Sequence, residues 1–417
     1  MSEPVARQGF TLGAGSARDI LVATAIAGAI GYTITVAAGT SLGNPGYLPF
    51  AAFWSLTYVV VGALAGVQHE TTRAARAGNG GSEAGKAARG LFWSSAAGTV
   101  VLVAGSAFLW APTVFDHNAV ALTPPVIVGA LGYLAVCVAA GILAGLASWR
   151  LVAAVTIADA ALRLAAVLVA LALTDDVVVL AWCVAMPFAL VGGATALVVA
   201  RIAKHRFVIT ATVRALAWNA TRTVATGAAM AVLITGFPAV LVATSAASES
   251  MEVTSIVFAA NLARSPLIVV ALAFQLVLVQ RMRDAKHPIA IVVRLVAGIV
   301  AAGAMLTVVA LWIGPEVLAA LSQHEYTISR GDAAVLVASA VPVAALVVTG
   351  AALLGRGRHG LYLLGWAVAG GGMVVALAMP VTLTMRVALA ILVAPAFGLA
   401  IHAMGIARLR LALGTKN

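Results

Sequence analysis

Residues 42–74 read LGNPGYLPFAAFWSLTYVVVGALAGVQHETTRA. A turn-forming Gly43-Asn44-Pro45-Gly46 gives way to an apolar run over 47–67, which closes on Gln68-His69-Glu70-Thr71-Thr72-Arg73. An uncharged run of about 20 residues, wound as a helix, matches the thickness of a bilayer core. It lacks the alternation of barrel strands, which cross in about 10 residues. Working outward, the same pattern recurs along the chain. The predicted spans are 18–39, 47–67, 90–111, 125–147, 151–173 and 177–200 in the first half, then 221–245, 253–279, 291–313, 333–354, 360–379 and 386–407 in the second. The sequence predicts an all-α polytopic membrane protein of about 12 transmembrane helices. Short connections make consecutive helices antiparallel, in two six-helix lobes, 1–205 and 206–417.

Composition agrees. Of 417 residues, 63% are hydrophobic and 9% charged, with a mean hydropathy of +1.07. A soluble domain is about 25% charged. The net charge of +11 does not point to nucleic acid, because the basic residues are scattered over short loops rather than gathered on a face. One set of loops and ends holds most of them: Arg7 and Arg18; Arg73, Arg76, Lys86 and Arg89; Arg150; Arg201, Lys204, Arg206 and Arg214; Arg281, Arg283, Lys286 and Arg294; Arg356 and Arg358; Arg408, Arg410 and Lys416. The opposite loops hold Arg330 and Arg386 beside Asp116, Asp175, Asp176, Glu249, Glu252, Glu316, Glu325 and Asp332. The positive-inside rule then places both termini in the cytoplasm. Trp110, Trp182 and Trp312 fall near outer span ends, and Trp149 and Trp218 near inner ones, as in an aromatic belt. Cys137 and Cys183 lie in apolar runs and read as packing residues; no metal ligand set is spaced for binding. The N-terminal segment does not read as a signal peptide, since no short apolar region is followed by a cleavage site.

Ionisable residues at membrane depth cost roughly 2.5–3.5 kcal/mol on insertion scales, so they face a cavity or a partner. Arg163, Arg222 and Arg264 are so placed, with Asp159 as the one deep acid. Asp159 and Arg163 stand four apart on one helix face. They read as a self-neutralised structural pair or as coupling residues. Arg264 has Asn261 one turn back and Ser265-Pro266 after it; it faces a central water-filled cavity and an anionic substrate, or caps carbonyls freed by Pro266. Arg222, with Asn219, lies where its side chain can snorkel. Arg18 and Asp19 open the first span as an interfacial anchor or a gate contact between lobes. Glu70 and Arg73 share a face, either as a solvated helix end or as part of a site. His402 and Gln275 read as interhelical hydrogen bonds. Pro238, Pro266, Pro342 and Pro395 permit kinks within spans.

The basic stretch 201–220, RIAKHRFVITATVRALAWNA, divides the lobes and reads as an amphipathic surface helix or a linker. Phe50-Ala51-Ala52 and Phe258-Ala259-Ala260 form a faint echo between the halves, in the sense of a parallel repeat. No GxxxxGK[ST] loop, HExxH or paired-cysteine motif occurs, so binding and movement are expected rather than bond-making.

The stretch from Leu42 to Ala74 resembles the polysaccharide-biosynthesis branch of the multidrug/oligosaccharidyl-lipid/polysaccharide (MOP) exporter superfamily, whose first helix leads through an LG-x-x-x-Y turn into the second. The resemblance covers about residues 15–76; beyond it, helix count and the six-plus-six layout agree. It implies a two-lobe, MATE-like transporter with helices 1, 2, 7 and 8 around a central cavity. On this chain those helices carry Arg18, Asp19, Glu70, Arg73, Arg222, Asn261 and Arg264, the substrate-binding set it implies. The implied cargo is a polyprenyl-(pyro)phosphate-linked glycan precursor, carried from the inner to the outer leaflet of a bacterial plasma membrane by alternating access. No catalytic residue, cofactor or metal is expected. Membrane lipids, and glycosyltransferases or a polymerase of the same pathway, are the implied partners. The alternatives are a cation- or proton-coupled small-molecule exporter, which wants lumenal acids, and a non-transporting subunit of a glycan assembly complex.

Overall fold

A computed structural model describes residues 14–78, 81–202, 207–209, 211–285 and 288–414. Arg7, Lys204, Arg206, Lys286 and Lys416, used in the charge argument, lie outside these residues, as do the side chains of Ser265, Pro266 and Arg410.

Every predicted span falls on a helix. In the first half these are α1 (Ala14–Leu42), α2 (Tyr47–Ala74), α3 (Gly81–Thr99) with α4 (Ala107–Phe115), α5 (Ala119–Gly145), α6 (Trp149–Leu171) and α7 (Val177–Ile202). In the second half they are α8 (Val213–Thr235) with α9 (Phe237–Thr244), α10 (Ser250–Asp284), α11 (Pro288–Leu321), α12 (Arg330–Ala338) with α13 (Ala340–Gly355), α14 (His359–Leu377), and α15 (Leu383–Ala388) with α16 (Ala394–Gly414). Among the described residues, ten helical stretches are long and apolar enough to cross a membrane, or eleven if the bent pair α8–α9 is one. The 35-residue α10 occupies the place of the remaining predicted span. Helices suit this setting because they satisfy their own backbone polar groups where lipid cannot.

The helix breaks have local causes. α8 and α9 meet at 70° across Gly236, with Pro238 in the first turn of α9, where its missing N–H costs nothing. Pro342 lies just past the α12–α13 junction, and Pro395 just past a π-helical turn at Leu389–Val393. At 266, by contrast, α10 continues as helix.

The 201–220 segment is neither a surface helix nor a plain linker. Its residues Phe207–Ile209 form a strand, β2, antiparallel to β1 (Ala75–Ala77), with Ala75 opposite Ile209 and Ala77 opposite Phe207. Val213 already begins α8. The β-branched pair Val208-Ile209 suits a ladder, and the Phe207 ring is buried.

The halves meet most extensively along α2 against α8 and along α1 against α10. The first is close because both faces are small. A Cβ at Gly66 would collide with the backbone of Thr223 and Val224, and one at Gly227 would lie 2.5 Å from the Gly62 carbonyl. The connections and helix ends at one end of the bundle carry Asp116, Asp175, Glu249 and Glu325; those at the other carry Arg76, Arg150, Arg214 and Arg356. We call these the acidic and basic ends.

Candidate functional site

At the acidic end, the seam between halves is closed by the α1–α2 turn and the first residues of α2. Gly43 adopts φ 62°, a left-handed conformation that glycine accepts without strain, and turns α1 into α2. Asn44 then donates across the seam to the Met251 carbonyl (3.0 Å) and the Ser255 hydroxyl (3.2 Å). Asn261 donates to the Tyr47 hydroxyl (3.2 Å), and the Tyr326 hydroxyl donates to the Gly39 carbonyl (2.7 Å). Phe258 stacks on Tyr326 at 4.3 Å and meets Tyr47 edge-on at 5.5 Å. Gly39 has no room for a Cβ beneath the Phe258 ring. Both echoed Phe-Ala-Ala triplets are buried here.

Midway along the seam lies the α8–α9 break. Ser55 of α2 spans it: its hydroxyl donates to the Thr235 carbonyl (2.5 Å) and accepts from the Ala239 N–H (3.1 Å). Arg264 of α10 approaches the same break. Its guanidinium is 3.5 Å from the Leu233 carbonyl and 5.3 Å from the centre of the Phe237 ring, and its Nε has no partner. The carbonyl it caps is thus on α8, not one freed in its own helix. The arginine expected to face open water is 4% exposed. The reason is tertiary: the break in α8 brings a carbonyl and an aromatic face to it.

Toward the basic end, Glu70 is buried and held by Arg73 through Nε (2.7 Å) and Nη2 (2.6 Å). Asn219 of α8 donates to the same carboxylate (3.2 Å), and Thr223 donates to the Gly66 carbonyl (2.8 Å). Glu70 therefore ties α2 to α8 rather than ending in solvent. Arg222 is exposed and has no ion pair among the described residues. It lies eleven residues before Leu233, which puts both on one face of α8, about 16 Å apart. Leu233, whose backbone carbonyl Arg264 meets, is itself buried. Among the described residues, all hydrogen bonds from α1 and its following turn to α10 lie at the acidic end.

The structure does not bring the rest of the expected set to the seam. Arg18 and Asp19 line a depression with the α5–α6 turn, where Arg150 is 3.8 Å from Asp19. Both partners belong to the same half, so this is not a contact between lobes. Asp159 and Arg163 are enclosed among α2, α5, α6 and α7. Arg163 Nη2 donates to both Asp159 oxygens (2.7 Å each), Nη1 to the Tyr58 hydroxyl (3.0 Å) and Nε to the Val184 carbonyl (3.2 Å), while its Cζ sits 3.9 Å over the Phe188 ring. His402 and Gln275 make the interhelical bonds expected of them, to Thr349 (3.0 Å) and the Tyr362 hydroxyl (3.3 Å).

Sequence reasoning missed Ser55, Tyr326 and Arg386. Ser55 is one hydroxyl in an apolar run and gives no periodic signal. Arg386 was counted as a loop charge, yet it is buried, donating to the Thr244 carbonyl (2.7 Å) and pairing with Glu249 (2.8 Å). The apolar residues on both sides of it were the available hint.

No family model matches the chain. An uncharacterized protein of Mycobacterium bovis, Mb3654, is 31% identical over an alignment of 429 residues that covers 98% of this chain and 96% of that protein. Among solved structures, a multidrug resistance MATE family transporter of the MOP superfamily in its outward-facing conformation superposes with a TM-score of 0.64 at 15% identity, covering 96% of each chain. The lipid II flippase MurJ in an inward closed conformation superposes with a TM-score of 0.69 at 10% identity, covering 93% of this chain and 87% of that one.

Proposed function

This chain belongs to the family of the mycobacterial protein Mb3654 and has the fold of MOP superfamily transporters, and from that premise we propose that it is a flippase for a lipid carrying an anionic (pyro)phosphate-linked glycan. The observation that carries the reading is Arg264, a buried arginine with an unpartnered Nε at the α8–α9 break, with the exposed Arg222 on the same helix α8 toward the basic end, while the acidic end is closed by hydrogen bonds across the seam. A guanidinium fits a phosphate because its planar fork meets two oxygens at once. With the basic end in the cytoplasm, as the loop charges favour, cargo enters from the inner leaflet. Arg222 attracts the head group, and Arg264 exchanges its long carbonyl contact for phosphate oxygens. The inside-negative potential favours outward movement of an anion. Glycosyltransferases or a polymerase would then act on either side of the step.

Coupling through a proton or cation would require an available acid along this path. Asp159 is occupied by Arg163 and Glu70 by Arg73 and Asn219, which favours the flippase over the exporter. The test is a leaflet assay of lipid-linked glycan in cells lacking the protein, complemented with Arg264→Ala or Arg222→Ala at normal expression. Accumulation of precursor in the inner leaflet is expected for both. Wild-type flipping by Arg264→Ala sinks the reading.

A further inference from the structure

One cavity plays no part in the seam. α5 packs on both α3 and α7, but α3 and α7 stand apart, leaving a groove between them floored by α5. Its volume is about 470 Å³, inside the ~300–1,000 Å³ range of small-molecule sites. Ala135 and Ala139 of α5 line its floor and Ala196 and Ala200 of α7 one wall, and Phe207 of β2 closes it toward the basic end. The lining is apolar except at one point, the exposed Arg89 of α3.

The surroundings of that arginine are basic. Arg201 directly follows Ala200, and Arg76 lies on β1, whose neighbouring residue Ala77 pairs with Phe207. Among the described residues, none of these three arginines has an ion pair, and the one acid of α3, Glu83, is taken by Lys86 at 2.7 Å. Trp93, exposed one residue beyond Phe92 of the lining, marks interfacial depth. An apolar slot at membrane depth with an unpaired guanidinium at its mouth is complementary to a hydrocarbon chain ending in an anionic head group.

We propose that the α3–α5–α7 groove binds one anionic glycerophospholipid of the leaflet at the basic end, with an acyl chain along the alanine lining and the phosphate on Arg89. Basic pockets between helices near that surface attract anionic head groups, by about 1 kcal/mol per arginine or lysine. The groove is built by α3, α5 and α7, so a lipid seated there would brace α3 against α7 without entering the transport path.

The full-length protein in mild detergent, incubated with equal amounts of dioleoylphosphatidylglycerol and dioleoylphosphatidylethanolamine, is read by native mass spectrometry. Wild type is expected to retain the glycerol lipid over the ethanolamine lipid by about five-fold. Arg89→Gln should abolish the preference and Arg89→Lys should keep it. Ala196→Phe, which fills the slot and leaves the charge, should reduce retention of both lipids. An absent preference in wild type overturns the proposal, as does an undiminished one in Arg89→Gln. Undiminished phosphatidylglycerol retention by Ala196→Phe reduces the effect to surface attraction and overturns the slot. The readout is lipid retention, so it stands or falls apart from flipping.

Discussion

Two buried arginines, Arg163 and Arg264, meet the same problem in opposite ways. Arg163 uses every nitrogen: a carboxylate, a phenol and a carbonyl accept from it, and the Phe188 ring covers its face. Arg264 has one long contact, a flanking ring and an unpartnered Nε. The first is enclosed by helices of the first half; the second sits against the α8–α9 break, which Ser55 of the first half also bonds. A buried cation with full coordination has nothing left to offer a ligand. One with partial coordination is costly to hold, and it gains by meeting an anion. The difference teaches that membrane depth alone does not mark a binding residue. What separates the two arginines is whether their donors are met.

The largest effect is expected at Asp159. Removing one member of a buried pair strands the other, at a cost of about 3–5 kcal/mol. Asp159→Ala should therefore lower stability by that amount in denaturant unfolding of the detergent-solubilised protein. A change below about 1 kcal/mol would mean that Arg163 is hydrated after all. Arg264→Met is expected to do the reverse. Replacing an under-coordinated charge by an apolar residue of similar length is neutral or stabilising, while loss of a charge-assisted bond to phosphate should slow flipping about 10-fold or more. A stability loss in denaturant unfolding as large as that of Asp159→Ala would make Arg264 a structural residue and erase the contrast.

A smaller effect is expected at Ser55, whose hydroxyl serves both sides of the α8–α9 break. Ser55→Ala leaves a buried carbonyl and an N–H without that partner, costing about 1–3 kcal/mol; an unchanged unfolding midpoint would show that the bend needs no support from α2. The smallest belongs to the basic end. Asn219→Ala removes one bond to a carboxylate that keeps Arg73, so a loss of about 0.5–1.5 kcal/mol is expected. Cross-linking of cysteines placed on α2 and α8 near this end should nonetheless report more frequent opening than in wild type.

These features were legible in the sequence to different degrees. Asp159 and Arg163 were recognisable because both partners lie on one helix at a spacing that brings them together. Tyr58, Phe188 and the Val184 carbonyl were not, since they arrive from other helices. Glu70 and Arg73 were visible as a pair, but their link to Asn219 crosses to a helix about 150 residues away. The segment 201–220 misled because its charges and apolar residues suit a surface helix, whereas its partner strand lies at 75–77. Arg18 and Asp19 opened the first span as expected, yet packing of α1 on α6 turned them from the other half.

What the sequence determined by itself is the membrane and the order of the helices. Apolar runs of bilayer length can be satisfied only by winding each segment on its own hydrogen bonds, so the spans are local properties of the chain. Tertiary structure alone decided which of the deep charges are satisfied, where α8 breaks, and which end of the seam is shut. Those outcomes rest on donors meeting acceptors from distant segments, and on small residues letting two helices approach. Neither leaves a period or a spacing in the sequence to be read.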